Sequence, residues 1–199
     1  MRIVYFAHVN GGTQSGVFHK IAGQVDRWRA DGRSVRVCVA TRDDVGPWQA
    51  RLGDSLISRY AGPASRLRTM TELVHATCTF APDVIYLRWD LFYPPMLAFP
   101  RSATLVVEVN SDDLREYALG SPIRSFYDRT RSIILGRARG LVFVTSELSN
   151  GLSFNRFHGN SQGGSRMVLI SSLPGASSSS SRISSARVRR HCRTTMAWH

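Results

Sequence analysis

Residues 2–41 read RIVYFAHVNGGTQSGVFHKIAGQVDRWRADGRSVRVCVAT, and their order decides the fold. RIVYFAHV at 2–9 is a short apolar, β-rich run. A glycine-rich loop, Asn10-Gly11-Gly12-Thr13-Gln14-Ser15-Gly16, follows at once. Val17, Phe18, Ile21, Val25 and Trp28 then recur at helical spacing, with Lys20, Gln24, Asp26 and Arg29 between them. Asp31-Gly32 stops that helix, the glycine at its C-terminal cap. SVRVCVAT at 34–41 is the next strand. Parallel neighbours need a connection long enough to return over the sheet, so this strand–loop–helix–strand unit predicts a parallel βαβ crossover.

The same grammar continues outward. SLISRY at 55–60 reads as a third, shorter strand. Residues 65–80 predict a helix, with Leu67, Met70, Leu73, Val74 and Thr77 on one face. Ala81-Pro82-Asp83 breaks it and leads into a buried strand, VIYLR, at 84–88. Tyr93-Pro94-Pro95 starts a segment with a short helix at 96–99. ATLVVEVN at 103–110 is another strand. Residues 112–140 read as largely helical, broken at Gly120-Ser121-Pro122, and LVFVTS at 141–146 is a sixth strand. Near-continuous apolar strands alternating with helices predict an α/β fold: a doubly wound, mostly parallel, Rossmann-like sheet.

The chain of 199 residues is 43% hydrophobic, enough for one such core and too little for two full nucleotide-binding domains. No run of apolar residues is long enough for a membrane span, and residues 1–6 lack the layout of a signal peptide. The three cysteines, Cys38, Cys78 and Cys192, show no metal or disulfide spacing, which fits a reducing cytoplasm.

Charge is unevenly spread. The net charge is +12, yet the last acidic residue is Glu147. Residues 151–199 hold seven arginines and no Asp, Glu or Lys. Twelve of these 49 residues are serine, five of them consecutive at 177–181. Residues 1–160 are therefore expected to form the domain, with one more strand near 167–170. Residues 171–199 are expected to be a low-complexity, disordered tail, because such a segment cannot bury enough surface to offset its chain entropy. Two readings of the tail stand open. It is a basic arm for nucleic acid or an anionic membrane, or it is an out-of-frame translation of GC-rich DNA. No aromatics are interleaved between Arg166 and Arg193, which argues against single-stranded nucleic acid as its partner.

Candidate chemistry gathers at predicted strand ends. Gly11, Gly12 and Gly16 follow the first strand and open the first helix, where close backbone approach and a helix N-terminus suit phosphate. The spacing is neither G-x-G-x-x-G nor a Walker A loop. Arg88 ends VIYLR, and Glu108 and Asn110 end VVEVN. A glutamate inside an apolar strand costs several kcal/mol unless it is paired. Arg88 is a plausible partner, and the two either bind sugar hydroxyls or form a structural ion pair. His8 ends the first strand beside the glycine loop, as a ligand contact or as a packed histidine. These ends are expected to face one crevice. The histidines show no metal spacing, and no G-x-S-x-G elbow supports hydrolase chemistry.

In their order, RIVYFAHV with NGGTQSGVF, the ADG-S-V-V step at 30–39, PDVIYLR, TLVVEVN and LVFVTSEL resemble the N-terminal half of GT-B glycosyltransferases of the family 4-like type. The resemblance covers residues 1–150, about three quarters of the chain. It implies two Rossmann-like domains facing across a cleft. The N-terminal domain mainly binds the acceptor. The C-terminal one binds a nucleotide-sugar donor and carries a Glu-x7-Glu signature. It further implies a retaining transfer to a glycan, lipid or small-molecule acceptor, with no metal and no cofactor beyond the nucleotide-sugar co-substrate.

Under this resemblance Gly11 and Gly12 match the loop that approaches the donor phosphates. Glu108 and Asn110 match strand-end positions where many members have histidine, so Asn110 points to a different acceptor. No Glu follows Glu147, and the Arg/Lys pair expected on the donor pyrophosphate is missing. The chain then reads as half an enzyme, truncated or frameshifted, inactive alone and partnered by a missing or separate donor-binding domain. A cytoplasmic location follows, with peripheral association to the inner face of a membrane allowed by lipid-linked acceptors. The alternative is a non-catalytic α/β module whose basic tail binds nucleic acid or anionic membrane.

Overall fold

β1 (Arg2–His8) is buried on both faces from Ile3 to Ala7, and a strand so apolar can only lie in the middle of a covered sheet. A computed structural model describes residues 1–110, 121–143 and the backbone of 167–170. The elements after β1 are α1 (Gly16–Ala30), β2 (Ser34–Thr41), α2 (Gly46–Leu52), β3 (Ser55–Arg59), α3 (Pro63–Phe80) and β4 (Val84–Arg88). A 3-10 turn (Pro94–Ala98), β5 (Thr104–Val109), α4 (Pro122–Arg137), β6 (Gly140–Phe143) and β7 (Met167–Ile170) complete them.

All strand pairs are parallel, and the sheet order is β3-β2-β1-β4-β5-β6-β7. After β1 the chain winds one way through β2 and β3, then returns to lay β4 on the other side of β1. The β1/β4 boundary is therefore the topological switch point, where ligands of doubly wound sheets bind at the carboxyl ends of the strands.

Each face of the sheet carries its own core. Ile3, Tyr5, Val37 and Val39 pack with Phe18, Ile21, Val25 and Trp28 of α1 and Trp48 of α2. Val4, Phe6, Leu87 and Val107 pack with Met70 and Leu73 of α3 and Tyr127 and Ile134 of α4. Fully burying one such side chain contributes about 1.5–3 kcal/mol, so the two cores together hold the sheet. Ser15 caps α1, its Oγ accepting from the Phe18 amide at 3.2 Å, and Gly32 takes φ +74° just past the helix end.

Some expectations change. Leu67 was expected on the buried face of α3, but it is 46% exposed, while Met70, Leu73, Val74 and Thr77 are buried. The buried stripe of α3 begins at Thr69 and Met70. α2 is an element the periodicity does not announce. It has seven residues, two of them buried, Trp48 and Leu52. The short helix after Tyr93 is a 3-10 turn beginning at Pro94. β6 begins at Gly140 and is described to Phe143, and Met167–Ile170 is a seventh strand. The expected helix at 112–119, the strand residues 144–146 and the tail at 171–199 lie outside the described residues. No described helix is long and apolar enough to cross a membrane.

Candidate functional site

Pleating sorts the predicted site residues into two groups. Tyr5 pairs in register with Tyr86, and Arg88 with Glu108, so these residues share the face covered by α1. Phe6 pairs with Leu87, and His8 follows Phe6 by two residues, which turns it to the α3 face. His8 and Arg88 end neighbouring strands at the same edge but back onto opposite faces. The single crevice expected for them is two adjoining clusters.

On the α1 face, Glu108 is 1% exposed. Its Oε1 accepts from Arg88 Nη1 at 2.6 Å and from Lys20 Nζ at 2.9 Å. Its Oε2 accepts from Tyr86 Oη at 2.8 Å and Tyr5 Oη at 3.4 Å. Burial, reinforced by the Glu108 charge, pushes both phenols far above the ordinary tyrosine range, so they stay protonated donors. The carboxylate is fully engaged and has no free lone pair for a sugar hydroxyl. Asn110 Oδ1 accepts from the same Arg88 Nη1 at 2.6 Å and from Lys20 Nζ at 3.5 Å. Asn110 Nδ2 is buried and has no acceptor among the described residues, an arrangement that costs about 1–3 kcal/mol.

On the α3 face, the His8 side chain is 7% exposed. Its Nδ1 is hydrogen-bonded to Asp90 and its Nε2 to the Tyr60 hydroxyl. An ionised carboxylate only accepts, so Nδ1 carries a proton toward Asp90, while the single Tyr60 hydroxyl proton goes to Asn10 Oδ1 and its oxygen faces Nε2. Tyr60 Oη also lies 3.1 Å from Asn10 Oδ1, and Tyr93 Oη lies 3.4 Å from His8 Nδ1. Tyr93 forms the wall between this histidine and a groove of ≈ 410 Å³ lined by Arg66, Leu67, Leu91, Phe92 and Phe126 among others. The Arg66 guanidinium stands over the Tyr93 ring, 5.5 Å from its centroid. The groove is apolar with one cation at its rim.

The glycine loop holds an anion of the chain's own. Gly11 (φ +145°) and Gly12 (φ +64°) turn their amides onto Asp43 Oδ2, at 2.9 and 2.7 Å. Thr41 Oγ1 donates to the same oxygen at 3.0 Å. The two amides hold the Asp43 carboxyl below its usual range, Thr41 and the Arg59 charge adding to the effect. Gly16 is the first residue of α1 and is exposed.

The sequence brought Arg88, Glu108 and Asn110 together correctly as neighbours at strand ends. It missed Lys20, Asp43, Tyr60, Asp90 and Tyr93. One signal for Lys20 was available: it is the sole lysine of the chain. In a chain that otherwise uses arginine for every long cation, that choice marks the position. Cys38 is buried and its thiol is pushed up to about 11 by burial, so it is no nucleophile. Among the described residues no three His, Cys, Asp or Glu side chains converge to hold a metal.

No family model and no curated protein matches the chain. Solved structures do. An α-glucosyltransferase in complex with UDP is 13% identical with a TM-score of 0.52, over 85% of this chain and 43% of that one. An α-glucosyltransferase in complex with UDP and a 13-mer DNA containing an HMU base is 14% identical with a TM-score of 0.51, over 83% of this chain and 42% of that one. The chain thus has the Rossmann-like α/β fold found in these GT-B enzymes and spans less than half their length.

Proposed function

We propose that the chain is the acceptor-side, N-terminal half of a GT-B glycosyltransferase, working with a nucleotide sugar held by a second domain. The observation that carries this reading is His8. It stands at the switch point, fixed by Asp90, with Nε2 in hydrogen-bond contact with the Tyr60 hydroxyl beside an apolar groove. An acceptor hydroxyl taking the place of the Tyr60 hydroxyl would meet the same nitrogen. Nε2 would then orient and polarise that hydroxyl, and Asp90 would stabilise the positive charge gathering on the ring.

The glycine loop supports the assignment of sides. Its amides are occupied by Asp43, so Gly11 and Gly12 do not serve the donor phosphates while that contact stands. The donor's charge would be met from the other domain. The finer reading, a family 4-like enzyme, rests on the order of RIVYFAHV, NGG, PDVIYLR and TLVVEVN.

The test is nucleotide release from a panel of nucleotide sugars, with and without hydroxyl-bearing acceptors. The assay compares the 199-residue chain with the polypeptide encoded when the gene is read onward in every frame. Acceptor-dependent release by the longer polypeptide alone is expected. His8→Ala should lower it on the order of a hundredfold. Release that ignores His8→Ala, or none from either polypeptide, would refute the reading.

A further inference from the structure

Counting donors and acceptors around Glu108 leaves an imbalance. Two cations, Lys20 and Arg88, meet one carboxylate. The second carboxylate oxygen is taken by two neutral phenols, so it neutralises nothing further. The Asn110 amide adds an orphaned N–H donor at the same place. The side-chain hydrogen bonds of Arg88 to Glu108 and Asn110 both leave from Nη1. Among the described residues the cluster is positive by one unit, rich in donors and short of acceptors. It is also reachable, with the side chains of Lys20 and Arg88 26% and 14% exposed.

A structural role for Glu108 needs one cation, and Arg88 already stands opposite it in register. Lys20 is surplus to that need. It reaches the cluster from a different element, the second turn of α1, and is drawn away from water to do so.

We infer that Lys20, Arg88 and Asn110 form a subsite for the phosphate group of a substrate, with Glu108 as the residue that positions both cations. A planar guanidinium fork, a point-charge ammonium and an amide N–H suit the several oxygens of a phosphate, which accept from different directions. A sugar hydroxyl would leave the positive charge unanswered. Under the acceptor-side reading, on which the substrate's identity rests, the acceptor is a phosphorylated sugar or polyol. The phosphate binding itself does not depend on that reading.

The sole lysine makes the test direct. The full chain labelled with 13C-lysine gives one ε-methylene signal, from Lys20. It is titrated at constant ionic strength with inorganic phosphate, glucose 6-phosphate, glucose and UDP. A saturable shift with the phosphate compounds and none with glucose is expected. Calorimetry on the variants then expects Lys20→Met to weaken phosphate binding on the order of tenfold. Lys20→Arg should keep most of it. Glu108→Gln, which keeps an oxygen to position both cations but removes the opposing charge, should strengthen it, and circular dichroism checks that each variant is folded.

Glucose 6-phosphate binding tighter than UDP identifies the acceptor as the source of the phosphate. The reverse order identifies the donor diphosphate and contradicts the acceptor-side assignment while leaving the subsite in place. No saturable Lys20 shift with any phosphate compound, or equal binding by Lys20→Met, overturns the subsite even if glycosyl transfer is found.

Discussion

Arg88 and Glu108 occupy paired register positions on β4 and β5, and Nη1 meets Oε1 at 2.6 Å. The backbone ladder sets this ion pair, so little side-chain freedom is left to lose when it forms. Removing one partner strands the other's charge. Glu108→Ala is expected to lower stability by about 3 kcal/mol, read from urea unfolding. Lys20→Met should cost less than about 1 kcal/mol, because Arg88 still answers the carboxylate. Equal losses for the two variants would show that Lys20, not Arg88, carries the structural role.

The Asp43 contact with the glycine loop depends on pH in a defined direction. Its carboxyl is held below the ordinary value of about 3.9, chiefly by the Gly12 and Gly11 amides. A depressed pKa contributes stability that is complete above the unfolded value and lost as pH falls through the folded one. The Gly11 and Gly12 amide resonances should hold steady down to the ordinary carboxylate range and move only below it. In Asp43→Asn that titration should vanish.

The His8 tautomer is set by Asp90. Long-range 15N spectra of the histidine ring are expected to show a proton on Nδ1, facing Asp90. Tyr60→Phe should preserve that tautomer and cost about 1 kcal/mol from the lost hydrogen bond. Asp90→Asn should erase the preference, since a carboxamide can either donate or accept.

Two leucines of α3 separate surface from core. Leu67→Ser should change stability by less than about 0.5 kcal/mol, since Leu67 is exposed. Leu73→Ala should cost about 2–5 kcal/mol, since Leu73 lies in the core shared with β1 and β4. Thermal unfolding of the pair checks the corrected face of the helix.

The strands were legible because a central parallel strand must be apolar on both faces, and runs such as IVYFA and VCVA have few other uses. Their parallel pairing followed from the alternation with helices. What was not legible was whatever depends on distance along the chain. Asp43 reaches Gly12 across 31 residues, and Asp90 reaches His8 across 82. No local spacing encodes either contact. α2 was missed because seven residues complete barely two turns, too few for a period to show. The division of His8 from Arg88 was not readable either. It needs the register of β1 against β4, which parity along one strand cannot supply.

The place of β1 also orders the making of the protein. As an interior strand it needs β2 on one side and β4 on the other, and β4 begins only at Val84. Until the ribosome has delivered that segment, a strand buried on both faces from Ile3 to Ala7 has an open flank. The early nascent chain is therefore a natural client for holdase chaperones. Once β4 docks, β5 and β6 add outward in the order of their synthesis, each finding an edge already waiting. Slow codons are tolerated after β4 far better than between β1 and β4, where every pause prolongs the exposure of a sticky half-sheet.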